Sequence, residues 1–524
     1  MQRASQQPTL FVVEDLHWAD NLSLDMINLL MDVLTLAPLM LFCIYRPEKD
    51  HRSWHISTQA SGKCLDRYRE MRLRALSLQE SRMLVESLLS IENLPESIRE
   101  NIIQKSDGNP FFVEEVIRSL IESGIVYRDG ERWIAKEEAK EIAVPDTIQS
   151  VIMSRIDRLE DEVKYVLQSA AVIGRLFRHR LLEYTTQQER NLDRYLLNLE
   201  EGELVFEERA IPELEYSFKH ALTQETAYNT ILSRRRKEFH HKVAEGYEVL
   251  YASRIEEYYE ELAYHYSRSE DKEKALSYLV KAGDKSKEAF ANDKAIEYYN
   301  QALKLIDDVD IGLKPVSMLG HIYYSLGEIY FPLIRHEESL ECCQKALEYT
   351  VDKIDRAKIY QLMGWVCERS RKSDLAREYL NLGISELGDD KESPLMARIC
   401  IPLSWVTGRG GNIEEAIEIA QRGLKIVEGT DYLFETVELY VCLIAWHNDI
   451  NRKYDYAQRA VDVAQKSGNT YLIGHSTCWL GDVYMRKGED DTALKLMKEA
   501  LGAYEKIGHN FGIIQASGWL LVIY

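Results

Sequence analysis

The sequence predicts a mainly α-helical protein with a partial α/β segment at its start. Three observations carry this prediction. Residues 10–13 and 39–45 are short apolar runs joined by a stretch of helical periodicity, the pattern of a βαβ unit. From residue 256 onward only helical periodicity remains. Within that half, Gly, Ala and Ser recur in trios spaced 12 and 7 residues apart, which marks pairs of helices that cross closely.

Bulk properties set the frame. A chain of 524 residues with 45% apolar content has room for about three or four domains with sizeable cores. Its net charge of −21 disfavours generic nucleic-acid or membrane binding. The eight cysteines form no CxxC pair and no zinc spacing, so they read as small hydrophobes in a reducing, cytoplasmic compartment. The most apolar window, residues 26–45, contains Asp32 and Pro38 and reads as a helix plus a strand, not a membrane span. No signal peptide is read at the start.

In order, residues 9–20, TLFVVEDLHWAD, run from an apolar strand into Glu14 and Asp15. The expectation is a fully buried strand of a parallel sheet that ends in two carboxylates. Ligands of open α/β sheets lie beyond the carboxyl ends of the strands. There one carboxylate can hold Mg²⁺ and the other can orient a water. A buried strand ending in two solvated acids satisfies the pair equally well. Ser23 is the expected N-cap of a helix whose apolar face is Leu24, Ile27, Leu30, Met31 and Leu34, and Pro38 ends it. Residues 39–45 form a second buried strand leading to Arg46-Pro47. Parallel strands end at the same edge, so Glu14, Asp15 and Arg46 are expected close together.

EDLHWAD, followed by Ser23, Leu24 and an apolar helix, closely resembles the Walker B region of STAND-type ATPases, the signal-transduction ATPases with numerous domains (an AAA/NB-ARC-like class). More narrowly, it is similar to the branch found in large transcription activators and in multidomain proteins that carry a nucleotide cyclase or kinase module. The resemblance implies ATP or ADP with Mg²⁺ as cofactors. It implies Glu14 and Asp15 as catalytic and Mg²⁺-binding carboxylates, and Arg46 as a sensor of the terminal phosphate. A plain surface arginine at a strand end is the alternative for Arg46. The family's phosphate-cradling loop, GxxxxGK[ST], is absent, and the one Gly-Lys pair, Gly62-Lys63, is followed by Cys64. The first strand starts only eight residues after the chain begins. The expectation is therefore a fragment lacking the loop-bearing half, which binds ATP weakly or not at all.

Ser77 and Glu80 have capping-box spacing, before a helix through Met83, Leu84, Leu88 and Leu89. Pro95 opens another helix, ending near Lys105. Gly108-Asn109-Pro110-Phe111-Phe112 then precedes a helix over residues 113–123. A helix-ending glycine and a helix-starting proline account for this turn. It also resembles the family's helical lid, where the proline packs on adenine, which implies Gly108 and Pro110 as nucleotide-binding residues. Residues 125–134 read as a hairpin on Asp129-Gly130, and residues 136–140 as a charged linker.

The next helix, residues 147–159, carries Arg155 and Asp157 on its polar face. With residues 167–174 and strands at 204–206 and 214–218, it resembles the winged-helix domain that follows the lid. His220, just after the last strand, matches the family histidine that touches the β-phosphate of ADP; a core or capping histidine is the alternative. The run Arg234, Arg235, Arg236 and Lys237 reads as a solvated helix end rather than a DNA-recognition face.

Seven small-residue trios follow, from Ala263/Ala275/Ala282 to Gly481/Ala493/Ala500. The first two overlap at Ala282 and Gly283, so one long helix should serve both. This is tetratricopeptide (TPR) spacing. It implies a right-handed solenoid with a concave, peptide-binding face, lined in part by some of the 31 tyrosines. Turns at 307–314 and 389–393 are expected to absorb repeats longer than about 34 residues. The sequence stops after what reads as the first helix of a further repeat.

The expected domains are the C-terminal half of an ATPase core (1–60), a helical lid (61–143), a winged helix (144–255) and a TPR array (256–524). The function these imply is a nucleotide-dependent regulatory switch with a TPR sensor for a protein or peptide, with possible self-association. A non-enzymatic TPR scaffold with a degenerate ATPase remnant is the alternative. A DNA-binding regulator is disfavoured by the missing basic face.

Overall fold

The computed structural model describes residues 7–34, 38–47, 51–64, 67–88, 91–92, 94–130, 132–136, 144–308, 316–388, 390, 392–507 and 509–523. The fold is mainly α. Among the described residues it contains 25 α-helices and three small sheets. The chain divides into two compact units, Met1–Ser253 with Arg268–Glu270, and Arg254–Ser267 with Asp271–Tyr524.

The first unit opens with β1 (Thr9–Val13), α1 (Asn21–Val33), β2 (Leu39–Cys43) and α2 (Ile56–Lys63). The strands pair in parallel, Thr9 opposite Leu39 and Val13 opposite Cys43, which is the expected βαβ unit. Asp20, not Ser23, caps α1: its Oδ1 accepts the Ser23 N–H at 2.8 Å. Leu24, Ile27 and Met31 of α1 pack with Leu16, Ile56, Leu41 and Cys43 on one side of the sheet. The other side corrects the expectation of fully buried strands. Leu10 (60% exposed), Val12 (46%), Met40 (60%) and Phe42 (44%) face away from that core. Parallel sheets are normally covered on both faces, and among the described residues only one face here carries helices. Gly62 and Lys63 sit inside α2, where Lys63 pairs with Asp32 at 2.7 Å and has no phosphate-loop geometry.

Next come α3 (Leu78–Leu88), β3 (Ile91–Glu92), α4 (Glu96–Ser106), α5 (Pro110–Glu122), β4 (Val126–Asp129) and β5 (Arg132–Ala135). The capping box forms: Glu80 accepts the Ser77 N–H at 2.8 Å and Ser77 Oγ accepts the Glu80 N–H at 3.3 Å. The hairpin β4–β5 turns at Gly130, φ 64°. β3, which the sequence pattern did not suggest, adds to β5 in parallel. Leu89 and residues 137–140 of the proposed linker lie outside the described residues.

The rest of this unit is α6 (Ile148–Asp157), α7 (Asp161–Ile173), β6 (Leu176–Arg178), α8 (His179–Thr186), α9 (Leu192–Glu201), β7 (Val205–Arg209), β8 (Glu215–Phe218), α10 (Ala221–Asn229) and α11 (Ser233–Leu250). The antiparallel sheet has the order β6-β8-β7. One reading is corrected. Arg155 does not sit on a solvated polar face; it is 2% exposed and ion-paired with Glu115 and Glu122 of α5. The basic run opens α11 as an exposed helix end at Arg234, Arg235 and Lys237, with Arg236 partly buried. Arg236 donates to the carbonyls of Tyr228 and Ile231, each at 3.1 Å, and Arg235 lies over the Tyr165 ring. The cations satisfy orphan carbonyls at the end of α10 and cover aromatic faces.

The second unit is a solenoid of helices. They are α12 (Tyr259–Ser267), α13 (Lys272–Glu288), α14 (Asn292–Asp308), α15 (Val316–Tyr330), α16 (His336–Tyr349), α17 (Lys353–Arg369), α18 (Ser373–Leu387), α19 (Pro394–Arg409), α20 (Ile413–Val427), α21 (Leu433–Trp446), α22 (Ile450–Ser467), α23 (Thr470–Arg486), α24 (Asp490–Ile507) and α25 (Asn510–Ile523). Every trio residue is buried except Ala445, which is half-buried. As expected, α13 serves two trios. The physical reason for small residues is visible at Gly364, where an added Cβ would lie 2.5 Å from Leu380 on the partner helix. Where the small residue is serine it ties the crossing: Ser339 Oγ donates to the Gly327 carbonyl at 2.8 Å, and Ser404 Oγ to the Ala416 carbonyl at 2.9 Å. Residues 309–315, 389 and 391, where the longer turns were expected, lie largely outside the described residues. Some of the tyrosines belong to the core; Tyr266, Tyr299 and Tyr504 are fully buried. All eight cysteines are free thiols. No helix among the described residues is long and apolar enough to cross a membrane.

Candidate functional site

Asp15 turns the chain sharply at the end of β1, with φ 56° and ψ 34°, into a single helical turn over Leu16–Trp18. That turn is tied to the neighbouring strand end. Leu16 N–H donates to the Ile44 carbonyl at 3.1 Å, and Arg46 N–H donates to His17 Nδ1 at 3.4 Å. His17 is buried, 6% exposed, and its ring fixes the two strand ends together. The sequence reading quoted this histidine within EDLHWAD and gave it no role.

The three residues expected to meet at this edge lie at adjacent strand ends, and among the described residues no hydrogen bond or ion pair joins them to one another. Glu14 and Arg46 are exposed, and neither makes an ion pair among the described residues. The counter-ion of Asp15 is Arg175, at the start of β6, which pairs through Nη1. Both side chains are partly solvated, at 42% and 49% exposure.

Arg175 leads to the second part of the site. Its carbonyl accepts the Phe218 N–H at 2.9 Å, which sets it beside the end of β8. Two residues on, His220 starts α10 without capping it. The imidazole instead lies against the Phe111 ring, with centroids 3.9 Å apart. Its Nε2 is buried and has no hydrogen-bond partner. Burial, then the charges of Lys219, Arg175 and Arg118, push the His220 pKa down to about 4, so the ring is neutral at physiological pH. Glu203 accepts ion pairs from Arg118, at 2.5 Å, and from Lys219, and those contacts hold its carboxyl down at about 2. Three cations thus face two carboxylates, Asp15 and Glu203, around a neutral histidine.

The third part is the Gly108–Pro110 turn. Gly108 has φ +73°, and an added Cβ would lie 2.3 Å from the Leu76 carbonyl oxygen. Only glycine fits this approach. Its own carbonyl accepts the Leu76 N–H at 2.8 Å. Asn109 Oδ1 accepts the Phe111 N–H at 3.0 Å and caps α5, with Pro110 as first helical residue. The structural account holds for Pro110, while the left-handed cap of α4 is Asp107, φ 46°, with Gly108 after it. Pro110 is also exposed, with its neighbour Phe111 on His220. Phe111, Arg118 and Arg175 were missed from sequence. For Phe111 the available signal was its place directly after the proline.

Residues 320–350 match a tetratricopeptide repeat model, and residues 77–128 match a domain of unknown function (DUF8739). An uncharacterized protein of Rhizobium meliloti (strain 1021) is 25% identical over 309 residues, covering 57% of this chain and 28% of that protein. The chain thus spans well under half of the curated relative it matches. Among solved structures, a STAND protein with a tetratricopeptide repeat sensor from Pyrococcus horikoshii, PH0952, aligns over 98% of this chain and 71% of its own length. Its TM-score is 0.53 and its identity 12%, which shows likeness of fold. The repeat match and this likeness agree on a helical array of tetratricopeptide type.

Proposed function

We propose that this chain is the signalling part of a STAND-type ATPase: a nucleotide-dependent switch coupled to a TPR sensor, acting in the cytoplasm. One observation carries the reading. The carboxylate at the end of β1, the cation beside β8 and the histidine against the lid turn share one electrostatic neighbourhood, through Asp15–Arg175 and Arg175–His220–Phe111. A buried unpartnered His220 Nε2 among three cations suits an anionic diphosphate. An exposed proline beside it suits an adenine ring. The metal end fits less fully. Among the described residues no group of three or more His, Cys, Asp or Glu could hold an ion. Glu14 and Asp15 therefore suit only a Mg²⁺ held mainly by water and phosphate oxygens.

The chain's own residues supply a latch. While Arg175 holds Asp15, that carboxylate is not free to act as a ligand or to orient water. Opening the pair releases a carboxylate at the strand end and a cation beside His220 together. In this reading, bound nucleotide supplies the negative charge that competes for Arg175, and Arg46 sits at the adjacent strand end to report it.

Calorimetry with ADP and Mg²⁺–ATP tests this on two proteins: this chain, and a longer one in which a GxxxxGK[ST] segment precedes residue 1. This chain should bind weakly or not at all. The longer one should bind ADP and lose affinity on His220→Ala. Micromolar ATP binding by this chain alone would overturn the expectation of weak binding, and unchanged ADP affinity in His220→Ala would sink the proposal. The second reading, a TPR scaffold with a degenerate ATPase remnant, predicts no effect of His220→Ala.

A further inference from the structure

The solenoid contains a cavity of about 290 Å³ lined by five of its helices, α17, α19, α21, α23 and α25. These are the alternate helices of successive repeats, the ones that face the inside of a TPR array. The walls are aromatic: Trp405, Trp479, Phe511 and Trp519. The polar inventory is unbalanced in two ways.

The first imbalance is in hydrogen bonds. Trp405 Nε1, Trp479 Nε1 and His475 Nε2 are buried and have no hydrogen-bond partner. Trp405 is 9% exposed and His475 3%. His475 Nε2 approaches Glu438 Oε1 at 3.4 Å but makes no hydrogen bond to it. An indole N–H can only donate. Buried polar groups are ordinarily satisfied, and each orphan costs stability. Gln515 Oε1 on the same cavity is a fourth orphan and accepts, but the two indole N–H groups can only donate, and they ask for a molecule that brings acceptors.

The second imbalance is in charge. Arg369 and Arg409 converge on a single carboxylate, Glu368, with Arg369 Nε at 3.5 Å from Oε2 and Arg409 Nη1 paired to Oε1. Their guanidinium groups lie over the Phe511 and Trp405 rings, at 4.5 and 5.2 Å from the centroids. The other carboxyl on the cavity, Glu438, already accepts the Tyr471 hydroxyl at 3.2 Å. Its burial pushes its pKa up to about 7, so near neutral pH it neutralises only part of the second arginine. Arg409 in turn has its pKa pushed down, first by burial and also by the neighbouring cations Arg369 and Arg371. The cavity holds more positive charge than it compensates.

We propose that this cavity binds a small aromatic carboxylic acid, its carboxylate between Arg369 and Arg409 and its ring among Trp405, Trp479 and Phe511. The volume lies at the low end of small-molecule sites. A carboxylate offers two acceptor oxygens in the plane that a guanidinium fork matches. The flat walls select a ring over a branched chain. Every residue used lies in the solenoid, so the proposal stands apart from the nucleotide reading of the first unit.

The test is calorimetry on the full chain with phenylacetate, with phenylacetamide and acetate as controls. Saturable phenylacetate binding is expected, at least roughly tenfold tighter than either control, because a charge-assisted contact contributes about 1.5–3 kcal/mol. Arg409→Gln, at a side chain one-third exposed, should weaken binding roughly tenfold while leaving the circular-dichroism melt in place. Trp479→Phe is the second variant and should weaken it less. Absence of saturable binding at millimolar phenylacetate overturns the proposal, as does equal binding of the amide or unchanged affinity in Arg409→Gln. A peptide ending in phenylalanine that binds more tightly than the free acid overturns the small-molecule assignment in favour of a protein tail.

Discussion

Two arginine–carboxylate clusters, one in each unit, use the same residue types and end in opposite states. In the first unit Arg155 is buried between α5 and α6. Its Nε donates to Glu122 at 2.9 Å, its Nη1 to Glu115, and its Nη2 to Glu122 and to the Gly202 carbonyl, each at 2.5 Å. Every nitrogen has a partner. In the solenoid Arg369 and Arg409 share one carboxylate, and the indoles and histidine beside them have unused hydrogen-bonding atoms. A closed network holds two helices in register; an open one is a place where the protein has left bonds for another molecule. Burial alone does not distinguish a structural cluster from a binding site. The count of unused donors does.

The largest effect should come from breaking the closed cluster. Arg155→Ala leaves Glu115, 3% exposed, buried without its counter-ion. The expected cost is about 3–5 kcal/mol. Hydrogen exchange in α5 and α6 measures it locally, which suits a chain of more than one unit. Unchanged exchange would mean the network is decorative and the comparison is broken.

A second effect separates the clusters by pH. The Glu438 carboxyl, 1% exposed, titrates near 7 instead of its ordinary 4.5 because burial disfavours its charge. The folded state then holds a proton that the unfolded state releases, so this group's contribution to stability falls as pH rises from 4.5 to 7. His475 and His509, held down at about 3 and about 4, act in the opposite direction and cost stability as pH falls below 6.5. Tyr471, His475, His509 and Arg369 all act on Glu438. Glu438→Gln removes the carboxyl's own titration, together with the charge by which it acts on His509. Relative to the parent, the variant should gain about 3 kcal/mol between pH 4.5 and 7. Urea unfolding of the solenoid across that range tests this, and parallel pH curves would contradict it.

A third effect should be near zero, and that is its value. Trp405→Phe deletes an indole N–H that has no partner. The lost ring area and the relieved orphan oppose each other, so the net change should stay within about 1 kcal/mol. A loss beyond about 2 kcal/mol in the melt would show that the donor is satisfied and the cavity closed.

What was legible in the sequence follows from how local each feature is. The capping box at Ser77 and Glu80, the Asp129-Gly130 hairpin and the trios at 12 and 7 residues are set by neighbours in sequence, and their spacing carried the signal. The apolar runs of β1 and β2 identified strands but not their covering. Leu10, Val12, Met40 and Phe42 have the same composition whether or not a second layer faces them. Arg155 looked polar because its partners come from another helix. The pair Asp15–Arg175 spans 160 residues. The solenoid cavity draws one to four side chains from each of five helices. No motif spacing records such convergence. The resemblance to STAND proteins pointed to His220 and the Gly108–Pro110 turn, and the structure adds Phe111, Arg118 and Arg175 around them.

The exposed pair Asp15–Arg175 extends the comparison to a contact that is neither buried nor orphaned. Asp15→Asn should change stability by less than about 1 kcal/mol, because both side chains are close to half-solvated. The substitution is clean for a backbone reason. Asp15 occupies the left-handed region at φ 56°, which Asn tolerates as well as Asp, whereas alanine would add strain there. The change therefore removes charge and little else. If Arg175 is a latch on Asp15, releasing it should loosen the turn over Leu16–Trp18. Trp18, 74% exposed, reports that turn by fluorescence anisotropy once the chain's seven other tryptophans are replaced by Phe in both proteins. The parent should lose anisotropy as salt screens the pair, and Asp15→Asn should start at the low value and ignore salt. If both proteins respond equally to salt, Arg175 does not hold the strand end, and the latch in the proposed switch fails while the two buried clusters keep their contrast.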